Sequence, residues 1–202
     1  MQPFTKLTAV AAPLDMANID TDKIIPARFL RKLREPGYEK LAFHDIRYDA
    51  EGSDRPDFVL NQAPYRQAKI LVAGANFGCG SSREAAVYVL YDFGIRAVIA
   101  PSFGDIHYGN ELQNGMLPVV LPDAACQKLR QQLRDEPGAQ ISVDLEAQTV
   151  TGPDGAAYGF EIDAGHKERL LKGLDDIGLV MRNIEAIEGF EERHHAALPW
   201  LA

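Results

Sequence analysis

The chain has 202 residues, 46% of them hydrophobic and 25% charged, which is typical of a folded globular protein rather than a disordered one. Its formal net charge of −8 argues against a general nucleic-acid binder, because neutralising phosphates requires a basic surface. We expect no membrane association, since no stretch approaches the roughly 18 apolar residues of a span and no signal-peptide pattern opens the chain. The two distant cysteines, Cys79 and Cys126, favour a cytoplasmic location and provide no disulfide framework.

The first third of the chain is rich in loop signals, so we predict that residues 1–68 are irregular apart from a short helix over 26–33. Short apolar runs and helical segments alternate after it, which favours a parallel α/β unit. The predicted elements are strand 69–74, helix 82–93, strand 96–100, helix 104–113 and strand 117–121.

The second half has a different pattern. Asp123 is predicted to cap a helix whose apolar positions Cys126, Leu129 and Leu133 recur at helical spacing. Two or three helices should close the chain, with Asn183 capping the last. We therefore predict a mixed α/β fold with more than one sheet, and a single domain over residues 1–202. Between the helix capped by Asp123 and the closing helices, three short antiparallel strands are predicted over 140–144, 148–151 and 157–162.

The most informative stretch, residues 74–84, joins a predicted buried strand to the start of a helix. Helix starts carry unpaired N–H groups and favour anions, and glycines at 78 and 80 allow close backbone approach. Ser81 and Glu84 have the spacing of a capping box, and Arg83 offers a planar fork for a carboxylate. A turn that only caps the helix is an equally simple interpretation.

Common nucleotide and hydrolase motifs do not fit this stretch. Its glycines do not follow G-x-G-x-x-G, and no Gly-Lys-Ser/Thr follows, which excludes the dinucleotide fingerprint and the P-loop. The second glycine of a G-x-S-x-G nucleophile elbow is also missing.

Residues 76–84 read N-F-G-C-G-S-S-R-E, and residues 18–26 read N-I-D-T-D-K-I-I-P. Both resemble signatures of the swivelling domain of the aconitase superfamily, and blocks at 100–106 and 109–118 match further motifs in the family order. The segment 173–179, G-L-D-D-I-G-L, resembles the closing motif of the small subunits of bacterial isopropylmalate isomerases. The resemblance implies a β/β/α swivelling domain, with a mostly parallel sheet and additional antiparallel strands.

For the site, the resemblance implies that Ser81, as an alkoxide, removes a proton from substrate carbon. Arg83 would bind a substrate carboxylate and Asp22 would lie beside the serine, with Thr21 and Ser82 also contacting substrate. A serine hydroxyl is a poor base, so this role requires aimed N–H donors and positive charge nearby. Asp20 and Asp22 have a competing interpretation as turn and capping residues.

In this family an iron–sulfur cluster acts as Lewis acid, held by three cysteines. This chain has two distant ones, so the resemblance implies that it holds no metal and that a 4Fe-4S cluster lies in a large partner subunit. Cys79 is then a small packed residue and Cys126 part of a helix's apolar stripe. The histidines show no convincing ligand spacing, and we predict surface or capping roles for them: His107, His166, His194 and His195.

Substrate choice in such subunits is attributed to a loop that corresponds here to residues 27–34. Phe29, Leu30 and Leu33 are suited to packing on a branched alkyl group, and Arg28 to meeting a carboxylate. The alternative is an amphipathic helix that buries Phe29 and Leu33 in the core.

The implied function is a small subunit that isomerises 2-isopropylmalate and 3-isopropylmalate by dehydration and rehydration in leucine biosynthesis. Its partners would be the large subunit and a small hydroxy-dicarboxylate, with neither nucleic acid nor membrane, and the isolated chain could form a homo-oligomer. Two departures from the family pattern, Ala85 in place of histidine and Glu111 in place of a small residue, leave another diacid open, such as a methyl-substituted malate. A non-catalytic anion-binding module and an RNA-binding relative also stay open, and the acidic charge speaks against the latter.

Overall fold

The computed structural model describes residues 1–81 and 83–201. These residues build a seven-stranded sheet from the following strands: β1 (Lys6–Leu14), β2 (Ile70–Ala73), β3 (Ala97–Ala100), β4 (Leu117–Val120), β5 (Gln140–Asp144), β6 (Thr149–Thr151) and β7 (Ala157–Gly159). The strand order is β4-β3-β2-β1-β5-β6-β7. Neighbouring strands from β1 to β4 are parallel, and β5, β6 and β7 extend the sheet by antiparallel pairing.

The helices connect and flank these strands. They are α1 (Thr21–Ile24), α2 (His44–Arg47), α3 (Glu84–Phe93), α4 (Asp105–Gln113), α5 (Asp123–Asp135), α6 (Ala164–Lys172), α7 (Asp176–Met181) and α8 (Ile184–Ala197). Short 3-10 turns occur at Ala27–Phe29, Tyr38–Leu41, Val59–Asn61, Ala63–Tyr65 and Pro199–Leu201. No helix in the part of the chain described is long and apolar enough to cross a membrane.

Strand β1 corrects two predictions. It lies in the middle of the sheet, parallel to β2 and antiparallel to β5, so residues 1–68 are not irregular throughout. It also joins the parallel and antiparallel parts into one sheet where more than one was predicted. The strand reads KLTAVAAPL, and its alanines and Pro13 have weak β propensity, so local sequence gives little sign of it.

The parallel strands separate two hydrophobic cores. In β2, Leu71 and Ala73 point into one core with α3, while Ile70 and Val72 point into the other with α5. A strand alternates its side chains between faces, so burial on both sides requires the continuous apolar run that predicted it. The predicted strands and the three helices between residues 82 and 135 are confirmed to within a few residues at each end.

Several local predictions are wrong. The helix expected over 26–33 is a single 3-10 turn at Ala27–Phe29, and Leu33 beyond it is 76% exposed. Asp123 is the first residue of α5 and Pro122 occupies the N-cap. Asn183 does occupy the N-cap of α8, although its side chain makes no capping bond there.

Candidate active site

The turn that carries Ser81 leaves the carboxyl end of β2 and packs against the segment just before α1. The amide of Gly78 donates to the carbonyl of Ile19 at 2.7 Å, and that of Asn18 donates to Ala75 at 2.9 Å. A Cβ on Gly74 would lie 2.5 Å from the carbonyl oxygen of Met16, so glycine permits this approach. The fold therefore brings the two sequence motifs together.

Thr21 anchors the serine end of the turn. Its backbone N–H donates to the carbonyl of Cys79 at 3.1 Å, and its hydroxyl donates to the carbonyl of Ser81 at 2.9 Å. Thr21 is buried, while Ser81 is exposed. Thr21 thus holds the backbone of this turn from the buried side, while Ser81 itself is exposed at the surface.

Asp22 meets Arg83 across the same junction. Nη1 of Arg83 donates to Oδ1 of Asp22 at 2.6 Å, and their side chains are 28% and 58% exposed. Asp20 has the capping role that we considered for both aspartates, since its carboxylate accepts from the N–H of Lys23 at 2.7 Å and begins α1.

The start of α3 differs from the predicted capping box. Arg83 occupies the N-cap in extended conformation, and the helix begins at Glu84. The carboxylate of Glu84 accepts from the side-chain amide of Asn114 at 3.0 Å. Because Ser81 stands two residues before the N-cap, it is not the capping residue. Ser82 lies outside the described residues.

The serine turn (residues 76–81) rests on helix α4. A Cβ on Gly78, whose φ is +69°, would come within 2.2 Å of the imidazole ring of His107. His107 is fully buried, so the predicted surface or capping role is wrong. Glu111 is also fully buried, with Oε1 3.0 Å from Nε2 of His107. Burial raises the pKa of the Glu111 carboxyl, and the contact with His107 opposes that shift.

Sequence reasoning missed this pair, although its spacing of one helical turn was a usable signal. Glu111 was expected to alter the substrate site by adding a charge. Instead its carboxylate faces the interior, beside His107 on the same helix.

The predicted specificity residues gather around α2. Nη1 of Arg28 donates to Asp45 at 2.8 Å, and the guanidinium lies 4.5 Å from the centre of the Phe29 ring. This bond holds the pKa of Asp45 down at about 2. Phe29 also contacts His44, at 4.8 Å between ring centres, and Phe29 and Leu30 are half-buried against the core. Leu33 is exposed, so the alternative of a helix that buries it is wrong.

Asp45 and His44 were not among the predicted residues of this neighbourhood. They lie 17 and 16 residues beyond Arg28, in a stretch predicted to be irregular. Only tertiary contacts bring them to the loop of residues 27–34, to which substrate choice was attributed.

The described residues contain no group of three or more His, Cys, Asp or Glu side chains that could hold a metal ion. Cys79 is half-buried in the serine turn, and Cys126 is fully buried in α5. Burial raises the pKa of the Cys126 thiol to about 11. Its placement on the buried stripe of α5 is confirmed.

Together these elements place Arg83 at the N-cap of α3 and Ser81 two residues before it. A helix start contributes partial positive charge, and Arg83 contributes a full one. This arrangement can stabilise an anion at Ser81 and bind a carboxylate at Arg83.

Named relatives cover the whole chain. A 3-isopropylmalate dehydratase small subunit from Dinoroseobacter shibae is 52% identical over 201 residues, which are 100% of each chain. One from Gluconacetobacter diazotrophicus is 54% identical over 200 residues, 99% of this chain and 97% of that one. A crystal structure of 3-isopropylmalate dehydratase from Methanocaldococcus jannaschii matches with a TM-score of 0.64 at 25% identity, covering 92% of this chain and 99% of that one.

Family models agree with these relatives. The aconitase C-terminal domain matches residues 1–124, LeuD_N matches 127–164, and the C-terminal domain of the 3-isopropylmalate dehydratase small subunit matches 176–202. The swivelling-domain fold and the family resemblance inferred from the motifs are confirmed. The chain belongs to the family of 3-isopropylmalate dehydratase small subunits, within the aconitase superfamily.

Proposed function

We propose that the chain is the small subunit of a heteromeric hydro-lyase that interconverts 2-isopropylmalate and 3-isopropylmalate in leucine biosynthesis. The observation that carries the proposal is the junction of the two motifs, where Thr21 holds Ser81 and Asp22 holds Arg83. Identity of 52% and 54% to two small subunits along nearly their whole length supports this reaction. Both cysteines are free, which fits a cytoplasmic enzyme.

Ser81 is assigned as the base that removes the proton from substrate carbon. Its alkoxide requires stabilisation, for which the N-terminus of α3 and the guanidinium of Arg83 are the local sources. The hydroxyl of Thr21 already donates to the carbonyl of Ser81, so we assign Thr21 to holding the base rather than to binding substrate.

Arg83 is assigned to a carboxylate of the substrate. A guanidinium has five donors, and Asp22 engages Nη1, so the remaining N–H groups can form a paired contact with a carboxylate. Ser82, the next residue on the N-terminal side, stays in the proposal as a substrate contact on the strength of the motif alone.

The branched group of the substrate is assigned to Phe29 and Leu30. Both are half-buried, and the Phe29 ring contacts both Arg28 and His44. Since Asp45 pairs with Arg28, we assign Arg28 first to shaping this loop and then to a carboxylate at its edge.

The residues of this chain do not fit an iron–sulfur cluster. Such clusters need several thiolates together, whereas Cys79 lies in a turn and Cys126 is enclosed in a hydrophobic core on α5. The relatives' name, small subunit, implies a large partner. We assign the cluster to that partner, and the exposed side chains of Ser81 and Asp22 to the interface with it.

A related diacid is the second candidate substrate. Ala85, which departs from the family pattern, lies half-buried in the first turn of α3, two residues after Arg83. A smaller side chain there changes the space next to the assigned carboxylate site. A methyl-substituted malate is therefore the appropriate competitor in any assay.

The test is anaerobic co-expression with the large subunit from the same source, followed by an ultraviolet assay of the unsaturated acid formed from isopropylmalate and from methyl-substituted malates. Ser81→Ala should abolish turnover while the complex still forms. Ser53→Ala, an exposed serine in another loop, is the matched control and should keep full activity.

Three results would go against the proposal. Association without turnover of either acid would show that the substrate is wrong. Turnover that survives Ser81→Ala would remove the assigned base. Failure of the two chains to associate would overturn the hydro-lyase assignment and favour an anion-binding module.

A further inference from the structure

Two ionisable side chains that the proposed function does not use lie directly beneath the serine turn. His107 and Glu111 occupy successive turns of α4, both at 0% exposure, with 3.0 Å between Nε2 and Oε1. Burying ionisable groups is costly unless they are paired, so a protein tolerates such a pair in its interior only when the neighbours hold it in place.

The imidazole of His107 touches the backbone of the turn itself. The hypothetical Cβ of Gly78 would lie 2.2 Å from the ring, so the ring occupies the space under that Cα. The Phe77 ring meets the imidazole edge-on, with 5.5 Å between centres. These contacts leave the backbone at Gly78 no room to move toward α4.

On the side away from α4, the N–H of Gly78 donates to the carbonyl of Ile19 at 2.7 Å. On the side of α4, the carbonyl of the neighbouring Phe77 accepts from the N–H of Gly104, the N-cap of that helix, at 2.8 Å. The turn is therefore clamped between the segment before α1 and the first turn of α4. Ser81 lies three residues further along, where Thr21 fixes its carbonyl.

We propose that His107 is a positioning residue for Ser81: its buried ring, which fills the space under Gly78, fixes the backbone there and thereby the direction of the Ser81 hydroxyl. This inference rests on the proposed role of Ser81 as base. Glu111 acts through His107, since the two side chains share one helix face and neither touches the surface.

The experiment compares two double variants in the complex with the large subunit. His107→Phe with Glu111→Ala keeps a ring under Gly78, and His107→Ala with Glu111→Ala removes it. Both lack the buried pair, so neither leaves one ionisable group alone in the interior. The kinetic constants kcat and KM are measured for each at a temperature where thermal melting shows both complexes to be folded.

The phenylalanine variant should keep kcat within about threefold of the wild type. The alanine variant should lose about tenfold or more in kcat with KM changed less than about threefold, because a small displacement of a catalytic group weakens chemistry more than binding. Equal kcat in the two variants would overturn the proposal. Where the alanine variant does not fold, His107→Val with Glu111→Ala replaces it, because valine fills part of the interior but provides no ring under Gly78. It should lose kcat relative to the phenylalanine variant, and equal kcat would again contradict the proposal.

Ser81→Ala, assayed in parallel, distinguishes failure of the positioning role of His107 from failure of the assigned base. If it abolishes turnover and the double variants are equal, the positioning role alone is refuted. If it leaves turnover intact, the assignment of the base fails, and the role of His107 fails with it.

Discussion

Arg83 and Asp22 form an ion pair with 2.6 Å between Nη1 and Oδ1, although 61 residues separate them in sequence. The pair joins α1 to the start of α3. Both side chains are partly exposed, at 28% and 58%, and exposed pairs contribute little to stability. We therefore assign the pair to aiming the guanidinium in the proposed site.

Replacing Asp22 with asparagine should separate these two effects. We expect kcat/KM of the complex to fall about 10-fold or more, because a loosened Arg83 binds the substrate carboxylate less well. Urea unfolding should shift by less than about 0.5 kcal/mol. The matched control is Asp54→Asn, which breaks another exposed pair, with Arg66 at 2.7 Å. Equal loss of activity in the control would contradict the assignment.

The hydroxyl of Thr21 can be removed with little change of shape. Thr21→Val leaves the carbonyl of Ser81 without its 2.9 Å bond, which should lower the free energy of unfolding by about 1 kcal/mol. Turnover should fall about tenfold as the serine loosens. Thr21→Ser keeps the hydroxyl and should keep turnover even though it loses a buried methyl group. If valine and serine had the same turnover, the bond would not matter to Ser81.

Glycine at position 78 is required for two separate reasons. A Cβ would enter the His107 ring at 2.2 Å, and φ is +69°, a conformation that other residues adopt at a cost. Gly78→Ala should therefore destabilise the chain by about 3 kcal/mol or more. Gly37→Ala is the control, because its φ is +100° with no atom within 4 Å of the added Cβ. It should cost only about 1–2 kcal/mol in the same urea titration.

Strands β2 and β3 could be predicted because each is a continuous apolar run buried on both faces, and β4 because it has a similar apolar run, although Val120 at its end is exposed. Helices α3 to α5 followed from local spacing in the same way. β1 could not, because its place in the sheet depends on pairing with strands more than 50 residues away rather than on its own alanine-rich sequence.

The candidate site also contains residues that the sequence could predict and residues that depend on tertiary contacts. Motif resemblance named Ser81, Arg83 and Asp22, and the fold brings the segments that carry them together. The fully buried state of His107 depends on its contact with Gly78, 29 positions earlier, which no local pattern encodes. The failed capping box has a local cause, since Arg83 adopts an extended backbone and delays the start of α3.

The two cysteines should differ sharply in reactivity. Burial raises the pKa of Cys126 to about 11, which leaves little thiolate near neutral pH, whereas Cys79 lies half-buried in the serine turn. Iodoacetamide at pH 8 should label Cys79 first, and Cys126 only when urea unfolds the chain. Peptide mass spectrometry gives the rates, and Cys79→Ser isolates the slower site. Rapid labelling of Cys126 in the folded variant would contradict its burial.

Glu111 should make stability depend on pH. Its pKa is raised in the folded state, so the folded chain holds this proton more tightly than the unfolded chain does. The resulting penalty is absent below the pKa of the unfolded carboxyl, about 4.3, and grows as the pH rises toward the folded pKa. Glu111→Gln does not titrate at this position and avoids the penalty.

Glu111→Gln should therefore gain stability relative to the wild type as the pH rises. Its free energy of unfolding minus that of the wild type should be larger at pH 8 than at pH 5. The groups that face the carboxyl are His107 and Tyr108, and burial together with Glu111 raises the pKa of Tyr108 well clear of this range. Urea titrations at the two pH values measure the difference. The control is Glu146→Gln, which replaces an exposed carboxyl and should differ from the wild type in stability by the same amount at pH 5 and pH 8. A stability difference between Glu111→Gln and the wild type that stays constant or narrows as the pH rises would contradict the raised pKa of the buried Glu111 carboxyl.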